Sequence, residues 1–208
     1  MNRISKLALA LAAAATVLIS LTGCFPLLLG GAAVGGAVVY TDRRTSGTQL
    51  EDQAIEFKAI SRVSDAIGTR GRVSVTSYSR LALITGEVTS DADRRLIEQA
   101  VSRIENVRSI VNELAVANPL PSHNAGTDAV ITGKVKASMI DSKDVFAQSV
   151  KVVTERGAVY LMGRVTEREA TRAAEITRGV SDVQKVVRVF DIISEAELAN
   201  LTAAPTSK

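Results

Sequence analysis

The sequence is poor in the residues on which most enzymes and metal sites depend. Its 208 residues include one cysteine, one histidine and no tryptophan, and aromatics make up 3% of the chain. A single thiol, Cys24, excludes an internal disulfide. His123 lies in a stretch rich in proline, serine and asparagine, without the partners that a zinc site or a nucleophile–base pair requires, and reads as a solvated linker residue. Gly68-Thr69-Arg70-Gly71 lacks the lysine–threonine step of a phosphate-binding loop and reads as a helix-to-strand joint. Asp91 and Asp93 read as first-turn acids favoured by a helix dipole. Few aromatics and no long Lys/Arg run leave no case for nucleic acid. No catalytic residue, metal or cofactor is expected, and hence no enzyme.

What is present begins at the N-terminus. Arg3 and Lys6 precede an apolar run from Leu7 to Leu21, too short for a transmembrane helix, which needs about 20 apolar residues. The run ends in Leu21-Thr22-Gly23-Cys24, an apolar residue, two small residues and a cysteine. This is the lipobox pattern that a lipoprotein signal peptidase cuts, so residues 1–23 are expected to be removed and Cys24 to carry the lipid. Phe25 rather than aspartate follows the cysteine, which by the lipoprotein sorting rule of Gram-negative bacteria implies the outer membrane. The chain carries 25 Lys+Arg against 22 Asp+Glu. The leader takes two of the bases and no acid, so the mature net charge is only +1.

Residues 24–45 read as a tether, apolar and rich in glycine and alanine to about residue 40 and polar from Thr41 to Gln49. The GxxxG formed by Gly31 and Gly35 is a weak signal in so short a run. The rest of the chain repeats itself. Gly86-Glu87-Val88-Thr89 returns as Gly163-Arg164-Val165-Thr166, and Val73-Ser74-Val75 as Val150-Lys151-Val152. Asn106-Val107-Arg108-Ser109-Ile110 corresponds to Asp182-Val183-Gln184-Lys185-Val186, and Asp52 with Ile55 to Asp128 with Ile131. Two units follow, at 46–117 and 127–194, joined by a linker at 118–126 and trailed by a tail at 195–208.

Each unit reads helix, strand, strand, helix, strand. In the second, Asp128 is placed to cap a helix with Ile131, Val135 and Met139 on one face. Val150 to Val152 and Ala158 to Val165 form a hairpin about Arg156-Gly157. Thr166 starts a second helix, and Val183 to Ile192 supplies the last strand. In the first unit the leading helix is placed from Gln53 to Ile67. The crossover is expected to be parallel, making each sheet mixed. The fold class is α+β: two tandem αββαβ units, each with a small mixed three-stranded sheet and two helices, behind a lipidated tether. Units of this size suggest two small domains rather than one large core.

The repeated αββαβ unit, with glycine in its second strand and the Asn/Asp-Val entry to its third, resembles the BON domain. Two such units behind a lipobox resemble the dual-BON outer-membrane lipoproteins, the DolP/YraP family. Ser46-Gly47-Thr48-Gln49-Leu50-Glu51-Asp52 and the run Val159 to Ala170 carry the likeness most specifically. The resemblance implies a non-enzymatic role in keeping the outer membrane intact from its periplasmic side. It also implies contact between the first helix of the second unit and anionic phospholipids such as phosphatidylglycerol and cardiolipin.

The residues can be tested against that implication. At 100° per residue, the side opposite Ile131, Val135 and Met139 carries Val130, Gly133, Ala137 and Ile140, flanked by Lys134 and Lys136. An apolar face edged by lysines suits an anionic surface. Val130 departs from the family, whose better-known members have an aromatic there, so contact should depend more on charge. The first unit's helix, with Glu51, Asp52 and Glu56 against Lys58 and Arg62, looks suited to packing on the second unit or on a partner. The alternative reading is a periplasm-facing scaffold that assists outer-membrane protein assembly, with lipid contact incidental.

Overall fold

The computed structural model describes residues 42–117, 125–142 and 147–202, all within a compact unit running from Tyr40 to Lys208. The expected leader, Cys24, the glycine-rich part of the tether and His123 lie outside the described residues.

Helix α1 spans Ser46–Ile67 and starts where the Thr45 hydroxyl accepts the amide of Thr48. It therefore begins well before Gln53: a good N-cap outweighs the glycine at position 47. Strands β1 (Gly71–Tyr78) and β2 (Leu81–Val88) are antiparallel. Their turn residues Ser79 and Arg80 both have positive φ, 51° and 63°, the sense of twist that suits a two-residue hairpin. Helix α2 (Asp91–Ser102), capped by Ser90, then carries the chain to β3 (Ser109–Val116), parallel to β2.

The second unit repeats the plan. Helix α3 spans Ala125–Ser142, followed after a 3-10 turn by β4 (Val150–Glu155) and β5 (Ala158–Thr166), which turn on Arg156 and Gly157. Helix α4 (Glu167–Arg178) opens on a capping box between Thr166 and Glu169, two otherwise orphaned amides satisfied reciprocally. Strand β6 (Lys185–Ile193) runs parallel to β5. Beyond it, part of the expected tail is a further helix, α5 (Glu195–Thr202). Both sheets are mixed and three-stranded with the hairpin's second strand in the centre.

Asp128 does not cap α3. It lies within the helix, and its carboxylate reaches across to the next hairpin, accepting the amides of Arg156 (2.8 Å) and Gly157 (2.9 Å). The helix spacing is otherwise as expected, since Ile131, Val135 and Met139 are all buried.

Strand alternation decides how the units associate. In β2, Ala82, Ile84 and Val88 face the helices of their own unit, where they pack with Ile55, Ala59, Ile97 and Val101. In β5, Val159, Leu161 and Val165 do the same with Ile131, Val135 and Met139. The opposite faces hold Leu81, Leu83, Tyr160 and Met162, and these meet in a third cluster with Tyr78 and Val189. The sheets thus pack on each other, with the helices as outer layers. Burying a side chain such as Leu83 or Met162 is worth about 2 kcal/mol, so the two units, each with a core of its own, are joined by a third, shared one between the sheets.

Ion pairs rim that shared core. Arg72 pairs with Glu155, setting β1 beside β4, and Lys151 of β4 reaches Glu56 on α1. Arg108 pairs with Asp191 and Lys185 with Glu113, setting β3 beside β6 in antiparallel order. Glu87, almost fully buried, lies between Arg72 and Arg156. The segment entering α1 adds a clasp. Arg43 places its guanidinium on both oxygens of Glu169 at 2.7 and 2.8 Å, while Arg44 bridges Asp42 and Asp52. Glu56 meeting Lys151 agrees with the packing role expected of the first helix.

Candidate functional site

The face of α3 picked out by spacing is open. Val130 is 58% and Ile140 66% exposed, and Gly133, Lys134, Lys136 and Ala137 are exposed as well. The reason is packing: Ile131, Val135 and Met139 commit the other side of the helix to β4, β5 and α4. Neither glycine nor alanine projects far, so the backbone between Val130 and Ile140 can approach a flat surface closely. Nothing within 4 Å meets a Cβ built at Gly133.

The two lysines are not equivalent. The Lys134 ammonium donates to Asp182 Oδ2 at 2.7 Å and to Ser181 Oγ at 2.9 Å. That ammonium holds the Asp182 carboxyl below its ordinary range, so much of its charge is already answered. Lys136, on the opposite flank, is exposed. Asp141, also exposed, falls on the Lys134 side of the face, where it subtracts further from the positive field. Sequence spacing missed both acids. Asp141 was open to the same 100° projection that placed Ile140, whereas Asp182 comes from the loop before β6 and only the fold brings it near.

The remaining chemistry is structural. No group of three metal-ligating acids, cysteines or histidines occurs among the described residues. Asp93 accepts from Arg70 and from the hydroxyls of Thr89 and Ser90, and these hold its carboxyl below the usual value. It serves the start of α2, as the first-turn reading expects. Among the described residues no helix is long and apolar enough to cross a membrane.

Comparison with known proteins places this architecture. The BON domain family model matches residues 51–118 and 127–194. The chain is 37% identical, over 91% of its length and 97% of the relative's, to the outer membrane lipoprotein DolP of Haemophilus influenzae. It is 29% identical to a 21 kDa hemolysin of Actinobacillus pleuropneumoniae, covering 73% of this chain and 79% of that one. It is 26% identical to the osmotically-inducible protein Y of Escherichia coli, over 73% and 77% of the two chains. A solved structure of CdsD, a structural protein of the type III secretion system of Chlamydia trachomatis, matches 70% of this chain and 98% of its own at 12% identity. Its TM-score is 0.29, too low to bear on the argument. The chain belongs to the BON-domain family, and within it to the dual-BON, lipid-anchored lipoproteins of the outer membrane that include DolP.

Proposed function

We propose that this lipoprotein, acylated at Cys24 and facing the periplasm, binds anionic phospholipid through α3 and so helps to maintain the outer membrane, without catalytic turnover. Phosphatidylglycerol and cardiolipin are the partners that fit. The observation that carries the reading is the open face itself, with Val130 and Ile140 more than half exposed across the helix from a fully committed core. A lysine near an anionic surface contributes about 1 kcal/mol, and Lys134 less while Asp182 holds it. So weak an attraction suffices when an acyl anchor already supplies a high local lipid concentration.

Vesicle co-sedimentation of a soluble form beginning at Tyr40 tests this, since Arg43 and Arg44 are part of the fold. Binding is expected to vesicles containing phosphatidylglycerol, to weaken as salt is raised, and to disappear with Lys134→Glu/Lys136→Glu. Ile140→Asp should weaken it without unfolding, and Val130→Trp should strengthen it by adding an interfacial ring. Unchanged binding in the folded double charge reversal removes α3 as the lipid site and puts the assembly-scaffold reading in its place.

A further inference from the structure

Helix α1 carries a second open face, and it is chemically unlike that of α3. Leu50, Phe57 and Ile60 are 66%, 76% and 70% exposed. At 100° per residue they share one side of the helix with Gln53, Ala54 and Ser61, all exposed, and no charged residue falls among them. Single exposed apolar residues are ordinary. Three large ones on one uncharged face, spread over about 15 Å of helix, are an unpartnered surface. It is not surplus core, because Ile55, Ala59 and Ile67 fill that role on the other side.

We propose that the Leu50–Phe57–Ile60 face of α1 is a second bilayer contact, one that inserts apolar side chains and does not require anionic lipid. Three observations favour a lipid surface as the occupant. The protein is an outer-membrane lipoprotein, and α1 is the first of the described helices. Only 21 residues separate Cys24 from Ser46, a reach of at most about 80 Å even when fully extended. The chain enters the fold at the head of this very helix, where Arg44 ties Asp42 to Asp52.

The second observation is composition. One aromatic and two aliphatic side chains on an otherwise small, uncharged face match a helix lying in the headgroup–acyl boundary, where its apolar side sinks about 5–10 Å. The third is charge. The flank of this face holds Glu51 and Asp65 against Lys58 and Arg62, with no net sign, so attraction to anionic headgroups cannot be what holds it. The inference rests on anchorage at Cys24 and not on lipid contact by α3: α1 and α3 cover the outer faces of different sheets, so one molecule lays one of them on the bilayer at a time.

The absence of tryptophan gives a direct test. The acylated protein carrying Phe57→Trp is reconstituted into zwitterionic vesicles, with and without brominated acyl chains, and a second chain carries Val130→Trp. The expected result is blue-shifted emission from position 57, strongly quenched by the brominated lipid at both low and high salt. Adding Ile60→Asp should relieve most of that quenching. The position 130 reporter should be quenched only when anionic lipid is included, and Lys134→Glu/Lys136→Glu should abolish that signal alone, which separates this proposal from the α3 reading. Emission from position 57 that brominated lipid leaves unquenched, in a chain with native circular dichroism, overturns the proposal. If that emission is blue-shifted and grows with protein concentration, a second copy covers the face instead.

Discussion

Asp52 and Asp128 occupy the same place in the two units, each a helix carboxylate that grips the two-residue turn of the hairpin that follows. Asp128 accepts the amides of Arg156 and Gly157; Asp52 accepts those of Ser79 and Arg80, and adds the Ser77 hydroxyl and the Arg44 guanidinium. Alanine at either position leaves two turn amides without their acceptor, at about 1–3 kcal/mol. Asp52→Ala should be the more damaging because it also strands the Ser77 hydroxyl and takes from Arg44 one of its two carboxylate partners. Urea unfolding of the two variants checks both the size and the order.

The glycines of the central strands predict a second asymmetry. A Cβ at Gly86 would lie 1.9 Å from the Arg72 carbonyl oxygen, on a backbone whose φ is 118°. At Gly163 it would lie 2.4 Å from the Ser149 carbonyl oxygen, and its φ is not in the left-handed region. Gly86→Ala must part β1 from β2 and adopt a conformation that only glycine takes easily. It should unfold or severely destabilise the protein, whereas Gly163→Ala should remain folded with a lower melting temperature. Thermal denaturation by circular dichroism distinguishes the two.

Acid should loosen the clasp at Arg43. Burial pushes the Glu169 carboxyl up, but the Arg43 guanidinium and the Thr166 amide outweigh burial and hold it below its ordinary value. The folded state therefore binds this proton less readily than the unfolded chain. The stability it contributes is present above the ordinary carboxylate range and is lost as pH falls through the depressed value. Arg43→Ala leaves a buried carboxylate without its partner, at about 3–5 kcal/mol, and should shift the acid transition to higher pH. Urea midpoints followed from neutral to acid pH test both statements.

The inequality of the two lysines on α3 gives a finer test of lipid contact than their joint reversal. Asp182 already answers Lys134, and Asp141 lies on the same flank. Lys136→Gln should therefore lower the affinity for phosphatidylglycerol vesicles more than Lys134→Gln, by up to about fivefold for a loss of about 1 kcal/mol. Asp141→Asn should raise it. Equal effects from the two lysines would show that the pairing with Asp182 does not survive at the lipid surface.

Much of this architecture was legible in the chain because repetition and short-range periodicity encode it. The period of Ile131, Val135 and Met139 gave the buried side of α3, and the recurrence of Gly86-Glu87-Val88 at Gly163-Arg164-Val165 gave two matching sheets. Contacts between distant residues were not legible. Asp128 read as a helix cap because its destination, the Arg156-Gly157 turn, is fixed only by packing. The pairing of Lys134 with Asp182 spans 48 residues, and no local pattern announces it. Leu81, Leu83, Tyr160 and Met162 alternate correctly for strands, but alternation cannot say whether the second face meets solvent or another sheet. That ambiguity hid the third cluster, which joins two units that each keep a core of their own.

The shared core has a consequence for how such proteins arise. Equivalent positions of the two copies meet in it: Leu81 with Ala158, Leu83 with Tyr160 and Val111 with Val187 are matched by the repeat, and all belong to the same cluster. A surface that recognises its own duplicate is the signature of an isologous, two-fold contact. Fusing two copies in tandem turns a concentration-dependent association into a permanent one. The two outer faces of this chain, one edged with lysine and one bare of charge, differ in kind, whereas the three matched seam pairs stay apolar even where their residues differ, as Leu83 and Tyr160 do.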